Sequence, residues 1–190
     1  MDVKMKELVE KLNTKYALQD IIYQRDNMVF ATISKELVIE AITYMRDYEG
    51  FAHFVMMSCA DWIEDNKFQL TYILNNPQQR CDVALRVMIE RENPTMTSAH
   101  HLWKQVWTYQ REIREAFGIQ FPGSPRVEEN FVLEGWTDKP HMLRDFDTHE
   151  YAEKTYFPRG GRTTNDPATY MREKLYPNQP VTAKKNKNVE

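Results

Sequence analysis

Ser98-Ala99-His100-His101-Leu102-Trp103-Lys104-Gln105-Val106-Trp107-Thr108-Tyr109-Gln110-Arg111-Glu112-Ile113-Arg114-Glu115-Ala116-Phe117-Gly118 decides how this 190-residue chain is organised. Leu102, Val106, Tyr109, Ile113 and Phe117 recur at three- and four-residue spacing, which predicts one amphipathic helix from Ala99 to Phe117. Ser98 offers a capping oxygen at its start, and Gly118 a left-handed stop at its end. The sequence before this helix has the periodicity of a folded domain. The sequence after it does not.

Working backwards, Cys81 to Ile89 places Val83, Leu85, Val87 and Ile89 on one face of a strand. Phe51–Cys59 and Lys67–Leu74 read as two further strands, with Asp61–Asn66 turn-like between them and Glu90–Pro94 a polar break. Leu18–Arg25 and Met28–Ile33 read as a strand pair around Asp26-Asn27. Ser34 is the expected N-cap of a helix through Leu37, Val38, Ala41, Ile42 and Met45, ended by Glu49-Gly50. Met5, Leu8, Val9 and Leu12 mark an opening amphipathic helix ending near Tyr16.

From Gln120 onward, prolines and glycines from Pro122 to Pro180 puncture the chain, and only Pro167–Leu175 keeps helical character. Phe131, Trp136, Phe146, Tyr151, Tyr156, Tyr170 and Tyr176 make this stretch far too aromatic for a free linker. An extended chain with aromatic anchors is expected to lie across a partner's surface. The expected organisation is therefore a domain over 1–120, a partner-wrapping segment over 121–180 and a disordered tail over 181–190, which carries three lysines. The fold class is α+β: a small mixed domain with a helix-flanked, mainly antiparallel sheet, followed by an extended aromatic-rich C-terminal segment.

Composition excludes several function classes. Lys+Arg total 25 against 28 Asp+Glu, a net charge of −3, so there is no basic surplus for nonspecific nucleic-acid binding. Arg159–Arg162 is too sparse for a nucleic-acid channel. Two cysteines cannot build a disulfide framework, and no apolar run approaches the ~20 residues of a membrane helix. The N-terminus has no apolar stretch of signal-peptide type, so a cytosolic-type soluble chain is expected. The five histidines (His53, His100, His101, His141 and His149) show no metal-ligand spacing, and His100-His101 on a helix would point about 100° apart. Cys59 and Cys81 read as buried structural thiols, and Gly160-Gly161 lacks the context of a phosphate-cradling loop.

Two clusters remain. Arg111, Glu112, Arg114 and Glu115 lie beside Trp103 and Trp107; Arg111 and Glu115 are four apart and share a helix face, as do the two tryptophans. The charges serve either as a solvated ion-paired face or as a helix-end device that bonds to the outgoing segment and orients it. The second cluster is Leu143-Arg144-Asp145-Phe146-Asp147, where Arg144 is suited to bidentate contact with a carboxylate.

The order and spacing of these blocks resemble the 30-kDa subunit (the C subunit) of respiratory complex I. The same family includes the matching subunits of membrane-bound, energy-converting nickel–iron (group 4) hydrogenases and formate hydrogenlyases. Trp103, Trp107, Arg111-Glu112, Glu115, Phe117-Gly118-Ile119, Gly123 and Pro125 look like its signature block. Cys59-Ala60-Asp61-Trp62 with Phe68 and Tyr72 is similar to its upstream turn and strand, and Leu133, Trp136, Pro140 and Leu143-Arg144-Asp145-Phe146 to its downstream ending. Ser124 replaces the motif histidine, Glu128-Glu129 stands where the family usually has two arginines, one residue is inserted between Pro140 and Arg144, and the adjacent lysine is missing. The departures suggest a divergent branch.

The resemblance implies a subunit of an oxidoreductase complex that catalyses nothing alone. It would hold no cofactor, catalytic residue or metal, while iron–sulfur clusters and a quinone or nickel–iron site belong to partner subunits. Its partners would be the large subunit and an iron–sulfur subunit, with the membrane arm reached only through the complex. Its place would be peripheral, on the cytoplasmic face of the cell membrane. Arg111, Glu112 and Glu115 would fix the departure of the wrapping segment, which Arg144 and Asp145 anchor. Phe131, Trp136, Leu143 and Phe146 are further expected partner-binding or structural positions. Two readings from other classes stand beside it: an enzyme built on His100, His101 and His141, and an adaptor binding peptides at a sheet edge.

Overall fold

The computed structural model describes residues 3–156 and 167–177. Two compact units divide at Phe146: Met1–Phe146 and Asp147–Glu190. In chain order the first unit runs α1 (Val3–Tyr16), β1 (Gln19–Arg25), β2 (Met28–Thr32), α2 (Val38–Tyr48), β3 (His53–Trp62), β4 (Lys67–Asn76), β5 (Cys81–Glu90) and α3 (Val106–Phe117). A 3-10 turn at Ile63–Asp65, closed by Asn66 in the left-handed region (φ 53°), joins β3 to β4.

The five strands form one sheet in the order β1-β2-β5-β4-β3. Only the β2–β5 pair is parallel, and it needs the long crossover through α2, β3 and β4. The alternation seen in the sequence sets the buried face: Phe68, Leu70, Tyr72 and Leu74 on β4 align with Ile89, Val87, Leu85 and Val83 on β5. Met5, Leu8, Val9 and Leu12 of α1 and Val38, Ala41, Ile42 and Met45 of α2 complete that core from one side. The fold class is the expected α+β one, with a mainly antiparallel sheet.

Several local expectations are corrected. Ser34 does not cap α2; its carbonyl accepts the Leu37 N–H (3.2 Å) in a preceding turn, and the helix begins at Val38. The helix expected from Ala99 begins only at Val106, and the residues before it are turns. The reason lies in the neighbouring strand: Trp103 Nε1 donates to the Ala52 carbonyl (2.9 Å), Gln105 to that of Phe54 and Tyr109 Oη to that of Val55 (3.2 Å). These side chains seal part of the free edge of β3 and hold the backbone out of helical register. Ser98 instead donates to the Gln110 side chain (2.8 Å), and His100-His101 sits in turns, not on a helix.

Residues 121–146 carry no regular element but belong to the first unit rather than to the second. In the second unit α4 (Thr148–Tyr156), which proline and glycine counting does not foresee, starts on Asp147, whose Oδ1 accepts the N–H groups of His149 and Glu150 (both 2.9 Å). The expected helix α5 is present at Pro167–Leu175. Arg159–Arg162, Gly160-Gly161 and the tail 181–190 lie outside the described residues.

Candidate partner-anchoring site

Gly118 ends α3 in the left-handed region (φ 82°), and its N–H bonds the Arg114 carbonyl at 2.8 Å. A side chain there would be strained, and its Cβ would also lie 3.3 Å from Pro140 Cγ. On either side of α3 the chain is stapled to itself: Met96 N–H donates to the Gln120 carbonyl (2.9 Å) and Gln120 N–H to that of Pro94 (2.8 Å). Pro122-Gly123 then forms a tight turn, with Gly123 at φ 83° and Ser124 N–H on the Phe121 carbonyl (3.1 Å). Pro125 sits in the next turn, before Arg126 (φ 51°).

The outgoing loop is shaped by the helix it leaves. Glu115 accepts three consecutive backbone N–H groups, from Phe131 (2.7 Å), Val132 (3.0 Å) and Leu133 (3.1 Å). Burial alone would raise the Glu115 carboxyl, but the three N–H bonds outweigh it and hold it below its ordinary value, with His141 adding a smaller pull. One turn earlier, Arg111 donates to the carbonyls of Glu129 (3.3 Å) and Asn130. Its guanidinium lies 5.2 Å from the Trp107 ring centre and 5.8 Å from that of Phe131. Arg114 pairs with Glu128, and Arg126 with both oxygens of Glu129 (2.7 and 2.6 Å). Of the two roles open for this cluster, the geometry is that of the orienting device. Glu112 differs: it is exposed, and its carboxylate has no hydrogen bond or ion pair among the described residues.

Trp103 and Trp107 do not share a helix face. Trp103 precedes α3 and packs on Phe54 (ring centres 5.5 Å), whereas Trp107 stacks beneath Arg111. Phe117 packs edge-on against Phe68 (6.0 Å) and belongs to the core.

A second anchor holds the far end of the loop. Arg91 meets Asp61 in a bidentate pair (2.8 and 2.9 Å), with the Asp61 side chain only 1% exposed, and reaches on to Asp145 (2.9 Å). Arg144 N–H also donates to Asp61 (3.0 Å), and its guanidinium binds both oxygens of Glu64 through one nitrogen (2.6 Å each). Lys139 bonds Asp145, and together with Arg91 it holds the Asp145 carboxyl down to about 2, against some opposing burial. Leu143 packs on the core, and Trp136 lies 5.8 Å from Phe146 and 6.0 Å from His141. Sequence reasoning misses Asp61, Glu64 and Arg91 as site residues, although Asp61 belongs to the turn block that carries the resemblance. Arg91 gives no signal beyond membership of a polar break.

Burial pushes the Cys59 thiol up, away from the thiolate form a nucleophile needs. No group of three His, Cys, Asp or Glu among the described residues could hold a metal ion, and no helix there is long and apolar enough to cross a membrane.

Comparison with known proteins agrees with the motif order. The family model "Respiratory-chain NADH dehydrogenase, 30 Kd subunit" matches residues 31–152. The C/D 2 subunit of the Aquifex aeolicus NADH-quinone oxidoreductase is 26% identical over 142 residues, covering 74% of this chain but 24% of that one. The C subunit of the Moorella thermoacetica enzyme is 21% identical over 114 residues, covering 60% and 76% of the two chains. This chain thus spans about a quarter of the C/D relative and about three quarters of the separate C-type one. Two solved structures share the fold. A chain of an archaeal membrane-bound sulfane sulfur reductase has a TM-score of 0.68 at 19% identity, covering 82% of this chain and 96% of that one. A trypsin-resistant fragment of Nqo5 has a TM-score of 0.58 at 20% identity, covering 65% and 98%. The chain belongs to the family of the 30 Kd subunit of respiratory-chain NADH dehydrogenase.

Proposed function

We propose that this chain is a non-catalytic structural subunit in the peripheral arm of a complex I-like membrane oxidoreductase. In this role it supports the large subunit and the iron–sulfur subunit during electron transfer to quinone. The observation that carries the reading is the use of α3: Glu115 and Arg111 spend their hydrogen bonds on the backbone of residues 129–133, shaping a loop rather than a reactive centre. That loop holds Val132 and Met142 out in an exposed position, where an assembly partner would bury them. Iron–sulfur clusters and the quinone site would belong to partner subunits, and the chain would sit on the cytoplasmic face of the membrane without entering it. The C/D relatives support the choice of large subunit, because there the matched segment is part of a longer chain named for both subunits.

A second reading places the chain in the equivalent position of a membrane-bound energy-converting nickel–iron hydrogenase or formate hydrogenlyase. Likeness to a sulfane sulfur reductase chain favours keeping it, since that complex is named for a different acceptor. Purification of the tagged chain from detergent-solubilised membranes, followed by mass spectrometry, separates the two. A large partner lacking four nickel-binding cysteines supports the quinone reading, and one possessing them supports the hydrogenase reading. Recovery of the chain without any large or iron–sulfur partner would overturn both.

A further inference from the structure

The face of the sheet turned away from α1 and α2 carries a feature that no helix uses. Strand register aligns Ile22, Phe30, Ala84, Ile73 and Met56 as one apolar row across all five strands. None of the five joins the helix-covered core cluster. The ends of the row are open, with Ile22 50% and Met56 37% exposed, and Trp62 on the same face is 44% exposed. The charges on this face of β4 and β5 are two acids and two bases: Asp82 and Arg86 flank Ala84, and Lys67 pairs with Glu90 at 3.6 Å. Such a surface recruits by apolar burial rather than by field.

We propose that this open face is a second docking surface for the D-type large chain, distinct from the loop over residues 121–146. The proposal rests on the complex I-like reading above. The other approaches to the sheet are occupied: α1 and α2 cover one face, Trp103, Gln105 and Tyr109 seal part of the β3 edge, and β1 at the opposite edge is irregular at two places. Arg144, two residues before Phe146, is tied to Asp61 and Glu64 on either side of Trp62, the last residue of β3; Asp61 aligns with Phe68 on the helix-covered face and Trp62 with Lys67 on the open one, so the first unit ends at a sheet edge that both faces share. In the C/D relatives the segment matching this chain is continuous with the rest of a much longer chain, which keeps a D-type surface at the high effective concentration of a tether. A second copy of the chain has no such advantage.

The test is co-expression of the tagged full chain with the D-type chain of the same organism, comparing wild type with the double variant Ile22→Glu/Met56→Glu. Both positions are exposed, and far-UV circular dichroism and thermal melting check the fold. The wild type is expected to retain its partner at about 0.5 M salt, where surface charge is screened. The variant is expected to recover roughly tenfold less partner or worse, and the chain alone to be monomeric by light scattering. Should the double variant unfold, Trp62→Glu on the same face is the second arm. Undiminished recovery of the D-type chain by a folded variant would overturn the proposal. So would a dimer of the chain alone that the variant abolishes, since the face would then serve a second copy. A wild type that captures no D-type chain overturns the complex I-like reading itself.

Discussion

Replacing Glu115 by alanine should release the loop at Phe131–Leu133 without unfolding the sheet. The carboxylate accepts three backbone N–H groups at 2.7–3.1 Å, and hydrogen bonds to a charged acceptor contribute about 1.5–3 kcal/mol each. The Val132 amide is exposed and readily rehydrated, so Phe131 and Leu133 carry most of the effect. Taking those two at the low end, the loss is about 3 kcal/mol, or roughly two powers of ten in the local opening equilibrium. Native-state amide hydrogen exchange reads this directly, with core amides of β4 as the internal reference. Exchange at Phe131 and Leu133 should rise by about two decades while Leu70 and Tyr72 stay protected. Glu115→Gln keeps an acceptor oxygen but loses the charge, and should fall between. Unchanged protection at Phe131 in the alanine variant would refute the view that Glu115 shapes the loop. An equal rise throughout β4 would refute it too, because Glu115 would then be a determinant of the whole domain.

The buried Arg91–Asp61 pair should behave differently: Arg91→Met leaves the nearly inaccessible Asp61 carboxylate uncompensated and should cost about 3–5 kcal/mol by denaturant melting, whereas the double variant Arg91→Met/Asp61→Leu should recover most of it. Acid should undo the far anchor in a defined window. Because the folded Asp145 carboxyl is held at about 2, below its ordinary 3.8, its contribution is fully present above pH 4 and is lost as the pH falls through 2. Amide protection over residues 139–146 should follow that course in the wild type and flatten in Asp145→Asn. Finally, Phe131→Ala and Trp136→Ala should loosen assembly with the partner while the isolated chain keeps its melting temperature to within a few degrees; unfolding of the α/β unit in either variant would contradict that division of labour.

The sheet was legible because alternation on β4 and β5 is a local signal: Phe68, Leu70, Tyr72 and Leu74 announce their face without reference to any partner. The stop of α3 was equally local, because Gly118 supplies the conformation the turn requires. The start of α3 was not. Leu102 and Trp103 continue the helical spacing, but bonds from Trp103, Gln105 and Tyr109 to carbonyls of residues 52–55 pull the preceding turn aside. No window of sequence contains both partners. The same holds at the candidate site. The spacing of Arg111 and Glu115 showed a shared face, yet whether it met water or the chain depended on loop residues 129–133 folding back. Arg91 found its role across 30 residues to Asp61 and 54 to Asp145, distances over which a single charge in a polar break carries no directional information.

In the role proposed above, this chain holds an assembly together and performs no chemistry of its own. The most direct measurement is the amount of assembled complex in membranes of cells lacking the chain, resolved on native gels, with wild type or Glu115→Ala supplied in trans. Without the chain the large and iron–sulfur subunits should fail to assemble; wild type should restore the complex, and Glu115→Ala should restore it only in part. Normal amounts of intact complex in the absence of the chain would contradict that role.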